Sequence, residues 1–293
     1  MGRVKKVSNK NKTSLKIIDA HQHFWLLSRG DYDFLSPENS CLYKNFLPKD
    51  LNSMLETHNI LGTVLIQAAP SINETLYLFN LIKNESIVKG IVGWIDTTKE
   101  SSLDDLKVLS KNALLKGIRV MLQDLQDKQQ VISTLPNRKI VDQLVKTNMT
   151  LDCLINRFQI REIFLFAKKW NNLPIIIDHC GKPNLDIDEF DIWSNDIKKI
   201  STLPNVYIKV SGLFTQSQKP FCRKNIEKYI LHAIECFGIN RVVWGSDWPV
   251  LTSHGSYDDW LNLCKDIIIS HISEGDAQLP FYENAVSFYK LVL

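Results

Sequence analysis

Short, β-branched apolar runs alternate with longer segments of helical periodicity eight times along the chain, and this alternation most constrains the fold. Most of the apolar runs are nearly continuous, which is typical of parallel strands buried on both faces. The predicted strands are 16–21, 63–67, 91–95, 117–121, 150–154, 174–178, 206–210 and 241–245. Apolar residues three and four apart predict helices at 50–58, 74–84, 103–114, 138–146, 160–170, 225–237, 257–269 and 277–291.

Repeated strand–helix units are compatible with a closed barrel or with a doubly wound open sheet. No glycine-rich phosphate loop follows the first strand, where a dinucleotide-binding sheet would carry one. A barrel of eight units needs roughly 250 residues, and the chain has 293. We therefore predict a single-domain α/β protein, a (β/α)8 barrel over residues 16–293.

The first residues of the chain differ in charge from the rest. The net charge is +3, and Arg3, Lys5, Lys6, Lys10, Lys12 and Lys16 precede any acidic residue. Residues 1–15 are predicted to be a disordered basic tail. The nearly neutral remainder predicts no nucleic-acid partner, and no apolar run reaches the roughly 20 residues of a membrane helix. We expect a cytoplasmic enzyme with a small-molecule substrate, and a homo-oligomer is compatible with the sequence.

Polar residues stand at the carboxyl end of every predicted strand, where barrel enzymes carry their catalytic groups. From the first strand to the last they include His21 and His23, Gln67, Trp94 with Asp96, Arg119 with Gln123, Asp152, His179, Lys209 and Asp247. Packing alone does not explain polar termini on all eight strands, so this end of the barrel is the predicted active site.

His21 and His23 alternate along a strand, so both rings are expected on one side. Imidazole nitrogens together with a carboxylate are typical Zn²⁺ ligands. Singly, His179 could be a buried histidine bonded to a backbone carbonyl, and Asp247 could cap a helix before Trp248. We do not expect all four residues to be structural at once.

The same residues lie in segments that resemble the lactonase branch of the amidohydrolase superfamily. The segments are IDAHQHFW (18–25), GTVLIQAAPSINET (62–75), GIVGWIDT (90–97), GIRVMLQD (117–124), IIIDHCGKP (175–183), VYIKVSGLFT (206–215) and VVWGSDWPV (242–250). The branch includes sugar-acid lactonases that open fuconolactone or rhamnonolactone, and a pyrone-dicarboxylate lactonase. The resemblance spans 17–291, and the pattern FWLLSRGDYDFL is closer to the fuconolactonase type. It implies the barrel, active-site roles for His21, His23, His179 and Asp247, and a substrate-binding role for Arg119.

Two positions depart from the pattern of the superfamily. Binuclear members use a lysine on strand four and a histidine on strand five, where this chain has Arg119, Asp152 and Asn156. The resemblance therefore implies one divalent ion, Zn²⁺, held by His21, His23 and Asp247 with His179 as a further ligand, and it leaves the ion's occupancy open. Gln216 stands where a sugar lactonase is expected to carry an acid, which bears on substrate identity.

The expected reaction is water attack on a lactone carbonyl, with Asp247 as general base. His179 and Arg119 complete the expected catalytic set and, without a metal, would hold the oxyanion together with the strand-one histidines. The residues predicted to bind substrate are Trp25, Gln67, Trp94, Gln123, Asp152, Lys209 and Trp248. The long connection 24–48 is predicted to be a lid.

Two other functions remain open at this point. A metal-dependent decarboxylase of the same superfamily uses the same four residue types, although the QAAP, GWID and KVSGL segments favour the lactonase branch. A non-catalytic barrel scaffold would have no reason to keep all four strand-end residues. Asp178 and Lys182 are interpreted as orienting their turn, and the strand parity of Cys180 points it away from the barrel interior.

Overall fold

The structure is a computed structural model that describes residues 15–187, 189–218 and 222–293. Within these residues, eight parallel strands pair in chain order. They are β1 (Ile17–Gln22), β2 (Ile60–Ile66), β3 (Val88–Gly93), β4 (Leu115–Met121), β5 (Thr150–Leu154), β6 (Ile175–Ile177), β7 (Val206–Val210) and β8 (Val242–Trp244). The amide of Asp247 donates to the carbonyl of His21, and the amide of His23 donates to that of Trp248, both at 2.7 Å. These bonds join the two edges, and the predicted barrel is confirmed.

Helices connect the strands and surround them. Over the described residues they are α1 (Pro48–Thr57), α2 (Ile72–Leu81), α3 (Ser102–Leu109), α4 (Lys128–Thr134), α5 (Arg138–Lys146), α6 (Ile160–Lys169), α7 (Phe190–Ser201), α8 (Arg223–Phe237), α9 (Tyr257–His271) and α10 (Asn284–Tyr289). No helix in this part of the chain has the length and apolar character that crossing a bilayer requires.

The prediction placed no helix between the sixth and seventh strands, and this was wrong. Trp193, Ile197 and Ile200 form the buried face of α7 at helical spacing. Acidic residues alternate with apolar ones just before this face, and Glu189 caps the helix without a side-chain hydrogen bond, so the start signal is weak. The short helix α4 was also missed. The predicted helix 277–291 is divided into a π-helical turn, Leu279–Glu283, and α10.

The side chains inside the barrel are apolar on one half and charged on the other. The apolar half comes mainly from β1, β2, β3 and β8 and includes Ile18, Val64, Val92 and Val243. The charged half comes from β4, β5, the end of β6 and β7, and contains Arg119, Asp152, Asp178 and Lys209, all buried. Buried charges require partners, so this half must be held together by ion pairs and hydrogen bonds.

The helix α10 closes the N-terminal end of the barrel. Phe288 packs against Tyr207 near the start of β7, with ring centroids 4.7 Å apart. Next to it, the Tyr289 hydroxyl reaches the barrel interior and donates to Asp152 Oδ2 at 2.7 Å. The carboxyl end of the barrel therefore remains as the accessible end.

The long loop after β1 has apolar packing of its own. Trp25 and Phe46 form an antiparallel bridge at its base, with backbone hydrogen bonds of 2.9 and 3.0 Å. The Trp25 ring packs against Tyr32, Phe34 and Phe46. This packing fixes the loop across the carboxyl end of the barrel. The predicted basic tail, residues 1–15, lies outside the described residues except for Leu15.

Candidate active site

A β-bulge in β1 directs His21, and His23 directly after the strand, into the barrel. Asp19 pairs with Thr63 and Gln22 pairs with Leu65, so β1 has one residue more than β2 over this step. Before the bulge, Asp19 points outward and accepts a hydrogen bond from the Tyr257 hydroxyl at 3.0 Å. After it, His21 points into the barrel, because a bulge reverses the side-chain alternation.

His179 comes from a left-handed turn after β6. His179, Cys180, Gly181 and Lys182 have φ values of 55°, 53°, 70° and 49°. Three of these four residues carry a Cβ, and each is strained in this region by about 1–3 kcal/mol. The indole of Trp193 donates to the carbonyl of Cys180 at 2.8 Å and supports the turn. The strained turn places His179 and Lys182 on the same cavity.

Asp247 follows β8 and also has a positive φ, 63°. Its Oδ1 lies 3.6 Å from His21 Nε2, 3.5 Å from His23 Nε2 and 3.8 Å from His179 Nε2. The Nε2 atoms of His21 and His23 are 3.2 Å apart. The structure thus brings together the four strand-end residues that the sequence singled out.

The spacing of His21, His179 and Asp247 fits a single metal ion, because one ligand atom of each lies within 4.8 Å of the others. Zinc ligands at 2.0–2.1 Å in a tetrahedron lie about 3.3 Å from one another, close to the 3.6 and 3.8 Å that separate Asp247 Oδ1 from the Nε2 atoms of His21 and His179. The Nδ1 of His23 faces the carbonyl of Ile66 at 2.8 Å. Since a carbonyl only accepts, this Nδ1 donates, and the Nε2 of His23 is the nitrogen that faces the cluster. His21, His179 and Asp247 are each buried and within mutual reach, so the group could hold an ion.

The protonation states suit a base or a ligand set at neutral pH. Burial lowers the pKa of His179 to about 4. Burial and the nearby ammonium of Lys209 lower the pKa of His21 well below its usual value. Burial alone would raise the pKa of Asp247, but His179 and the other imidazoles outweigh it and hold this pKa below its ordinary range. Neutral imidazoles of His21 and His179 therefore lie beside an ionised Asp247.

A cavity of about 490 Å³ opens above this cluster, a size suited to a small molecule. Its wall includes His23, His179 and Asp247 from the cluster and Arg119 and Gln123 from the end of β4. Asp33 and Phe34 of the long loop complete the wall on one side.

Three tryptophans predicted to bind substrate are not on the cavity wall in the described part of the chain. Trp25 is fully buried within the loop, where its indole donates to the carbonyl of Lys44 at 2.8 Å. Trp248 is 2% exposed and packs edge-on against Phe24. Trp94 is half-buried and also lies off the wall.

Gln67, Asp152 and Lys209 were predicted to contact substrate, but the structure places all three beneath the cavity with no exposed surface. Gln67 accepts a hydrogen bond from Arg119 at 3.1 Å through Oε1, so it supports a cavity residue instead of reaching a ligand. Asp152 and Lys209 pair with each other at 2.8 Å.

Two residues that the sequence analysis assigned to turn orientation lie at the centre of the site. Lys182 lines the cavity, and its ammonium donates to Gln123 Oε1. Asp178 is fully buried, with carboxylate oxygens 2.8 Å from Lys209 Nζ and 3.6 Å from Arg119. The sequence DHCGKP indicated a turn. It did not indicate that the backbone of this turn is left-handed, which is what directs Lys182 to the cavity.

The chain is similar to known proteins along almost its whole length. The family model described as Amidohydrolase matches residues 18–291. An L-fucono-1,5-lactonase of Burkholderia ambifaria is 31% identical over 94% of this chain and 95% of its own length. An L-fucono-1,5-lactonase of Burkholderia multivorans is 27% identical, over 94% and 96%. A crystal structure of a B. multivorans amidohydrolase with bound zinc superposes with a TM-score of 0.88 at 26% identity, covering 94% of this chain and 99% of that one.

Proposed function

The chain belongs to the amidohydrolase family, and from this membership and its site we propose that it hydrolyses a small sugar-acid lactone, an aldonolactone such as L-fuconolactone or L-rhamnonolactone. One observation carries the proposal: an ionised Asp247 stands among three imidazoles at the floor of a cavity of about 490 Å³. The likeness to curated L-fuconolactonases over nearly the whole chain supports the choice of ester.

A lactone is a cyclic ester, so its opening requires a water nucleophile, a stabilised oxyanion and a proton for the leaving alkoxide. We assign the proton transfers to Asp247, which takes a proton from water and returns it to the ring oxygen. General acid–base assistance of this kind contributes about 10²–10⁴-fold. The carboxylate is suited to this role because it is ionised and reaches the cavity.

The developing oxyanion needs fixed donors. Arg119 lies on the wall, and its Nε has no hydrogen-bond partner among the described residues. One of its terminal nitrogens is held by Gln67 and the other faces Asp178 at 3.6 Å. The guanidinium is therefore positioned before substrate arrives, which is the condition for effective electrostatic stabilisation. His179 supplies a second group to the same region.

We propose Zn²⁺ as the ion that His21, His23 and Asp247 would hold, with His179 as the fourth side chain. Such an ion would polarise the carbonyl and acidify water. The proton transfers assigned to Asp247 do not depend on it. Zinc in the B. multivorans structure and the two-nitrogen, one-oxygen donor set of His21, His179 and Asp247 support this choice.

The remaining wall suits a polyhydroxylated ring. Asp33, Gln123, Asp124, Thr215 and Gln216 all line it, and these side chains can accept or donate to hydroxyl groups. Gln216, which replaces an expected acid, contacts the same space and is therefore a candidate for selecting among sugar lactones.

The test is a pH-indicator assay of the purified protein on a panel of aldonolactones, after metal analysis and with or without chelator. Acid release on at least one sugar lactone is the expected result. Activity that is lost with chelator and restored by zinc would assign the ion to the reaction. Activity that is retained with chelator would leave Asp247 as a base that acts without a metal. No hydrolysis across the panel, with zinc added, would refute the lactonase proposal and favour the decarboxylase.

Lys182 is expected to contact the lactone. The Lys182→Met change should lower kcat/KM by about 10–100-fold, the equivalent of one charge-assisted hydrogen bond of 1.5–3 kcal/mol. Steady-state kinetics on the best lactone would measure it, with Lys290→Met as the matched control, because Lys290 also has positive φ but lies at the opposite end of the barrel. Equal kinetics for both variants would remove Lys182 from the substrate site.

A further inference from the structure

The loop after β1 places two side chains on the cavity wall, Asp33 and Phe34. They are adjacent in sequence and both are exposed, and Phe34 is 47% exposed. Among the residues that the structure describes, Phe34 is the only phenylalanine, tyrosine or tryptophan on this wall. The three tryptophans expected to bind substrate lie off the wall, so a flat aromatic contact with a ligand has to come from Phe34.

Asp33 and Phe34 form the tip of a tight turn. The amide of Leu35 donates to the carbonyl of Tyr32 at 3.0 Å, so Asp33 and Phe34 occupy the two central positions of a β-turn. Tyr32, directly before the tip, is buried. The rings of Tyr32 and Trp25 pack edge-on against Phe34, with centroids 6.3 and 5.5 Å away. The tip is therefore supported by buried aromatic side chains of its own loop.

The residues just before the tip attach it to the start of α2. Asp31 Oδ2 accepts a hydrogen bond from Ser71 Oγ at 3.2 Å, and Ser71 is the N-cap of α2. Arg29 pairs with Asp31 and lies over the Tyr77 ring of α2, 4.7 Å from its centroid. The tip is thus held in place before a ligand arrives, and a preorganised contact loses less conformational entropy on binding.

The two side chains at the tip differ in chemistry. The Asp33 side chain has no hydrogen bond or ion pair within the described part of the chain. Its carboxylate oxygens only accept, so they can take the hydrogens of two hydroxyl groups. A sugar ring presents hydroxyl groups at its edge and C–H groups on its faces, and the flat apolar ring of Phe34 suits such a face. The tip therefore offers one partner for each kind of surface on a sugar.

We propose that Asp33 and Phe34 are specificity-determining residues that bind the sugar part of the substrate. Phe34 covers a C–H face of the lactone ring, and Asp33 accepts hydrogen bonds from its hydroxyl groups. Apolar contact combined with a few placed polar groups is the usual composition of a small-molecule site. The inference rests on the proposed function, in which the ester carbonyl is placed near Asp247. The tip therefore acts on substrate binding and not on the chemical step.

The first test compares Phe34→Leu with Phe34→Tyr on the best lactone of the panel. Leucine stays apolar but removes the flat ring, so KM should rise about tenfold with kcat nearly unchanged, a size typical of one aromatic contact. Tyrosine keeps the ring and should hold KM within about threefold of the natural value. Tyr43→Leu is the matched control, because Tyr43 lies in the same loop, is 43% exposed and is not on the wall.

The second test removes the carboxylate. Asp33→Ala should raise KM by about 10–100-fold, because hydrogen bonds to a charged group are lost. Glu38→Ala is its matched control, since Glu38 is an exposed acid of the same loop that lies off the wall. Calorimetry with the corresponding aldonolactam, whose amide resists hydrolysis, would measure the same loss of binding without turnover. Thermal melts of all variants would show that the fold is kept.

Weaker lactone and lactam binding in Phe34→Leu and Asp33→Ala, absent from Phe34→Tyr and from the two control variants, is the expected result. Unchanged KM in Phe34→Leu or Asp33→Ala, or an equal change in the control variants, would overturn the proposal and leave the lactonase assignment intact. Failure of the natural protein to hydrolyse any lactone would instead refute the proposed function, and the sugar-binding role of the tip with it.

Discussion

Replacing Asp247 by Asn is expected to leave the fold intact and to lower kcat/KM on the lactone by about 10²–10⁴-fold. Asn has nearly the same shape as Asp and tolerates positive φ, which this position requires. The backbone bond from residue 247 to His21 is unaffected by the change. The amide cannot take a proton from water, so the loss should fall on kcat more than on KM.

Asp124→Asn is the matched control for this prediction. Asp124 lines the same cavity at the end of β4 but lies outside the imidazole cluster, so its change should act mainly on KM. Circular dichroism and zinc content would be recorded for both variants, because Asp247 is also a proposed metal ligand. If Asp247→Asn retained most of its kcat with the fold intact, another group would have to be the base.

The barrel could be predicted because its strands are buried on both faces and therefore differ sharply from the amphipathic helices. The strand-end position of His21, His23, His179 and Asp247 then followed from the general geometry of barrels. The bulge in β1 could not be predicted from the sequence, because it depends on pairing with a strand about forty residues away. The alternation of His21 and His23 pointed to the correct side without it.

Depth within the barrel was also not predictable. Asp152 is the third residue of five in β5, and Lys209 is the fourth of five in β7. The alternation of side chains along each strand indicated that both residues point into the barrel. It does not indicate whether an inward side chain reaches the cavity or ends in the layer below it. The left-handed turn that directs Lys182 was hidden for a different reason, because glycine occupies only one of its four positions.

The Gly212→Ala change should inactivate the enzyme although residue 212 has no functional group. A Cβ at this position would lie 2.4 Å from His179 Nδ1, 2.7 Å from His179 Cγ and 3.1 Å from Asp247 Oδ2. Glycine is required here both for this close approach and for a φ of +61°. The imidazole must move away from residue 212 and so changes its position relative to Asp247, and a displacement of about 1 Å can cost about 10²-fold in rate. We expect kcat/KM to fall by at least that factor.

Gly30→Ala separates the steric effect from the backbone effect. Gly30 has φ 69° and ψ 13°, nearly the conformation of Gly212 at 61° and 11°, and a Cβ there would meet nothing within 4 Å. Both variants should lose about 1–2 kcal/mol of stability from left-handed strain, and Gly212→Ala should lose a further 1–3 kcal/mol or so from overpacking. Thermal melts and lactone kinetics would be compared. If Gly30→Ala lost as much activity as Gly212→Ala, backbone strain alone would explain the effect. The reaction would then not depend on the placement of His179 beside Asp247.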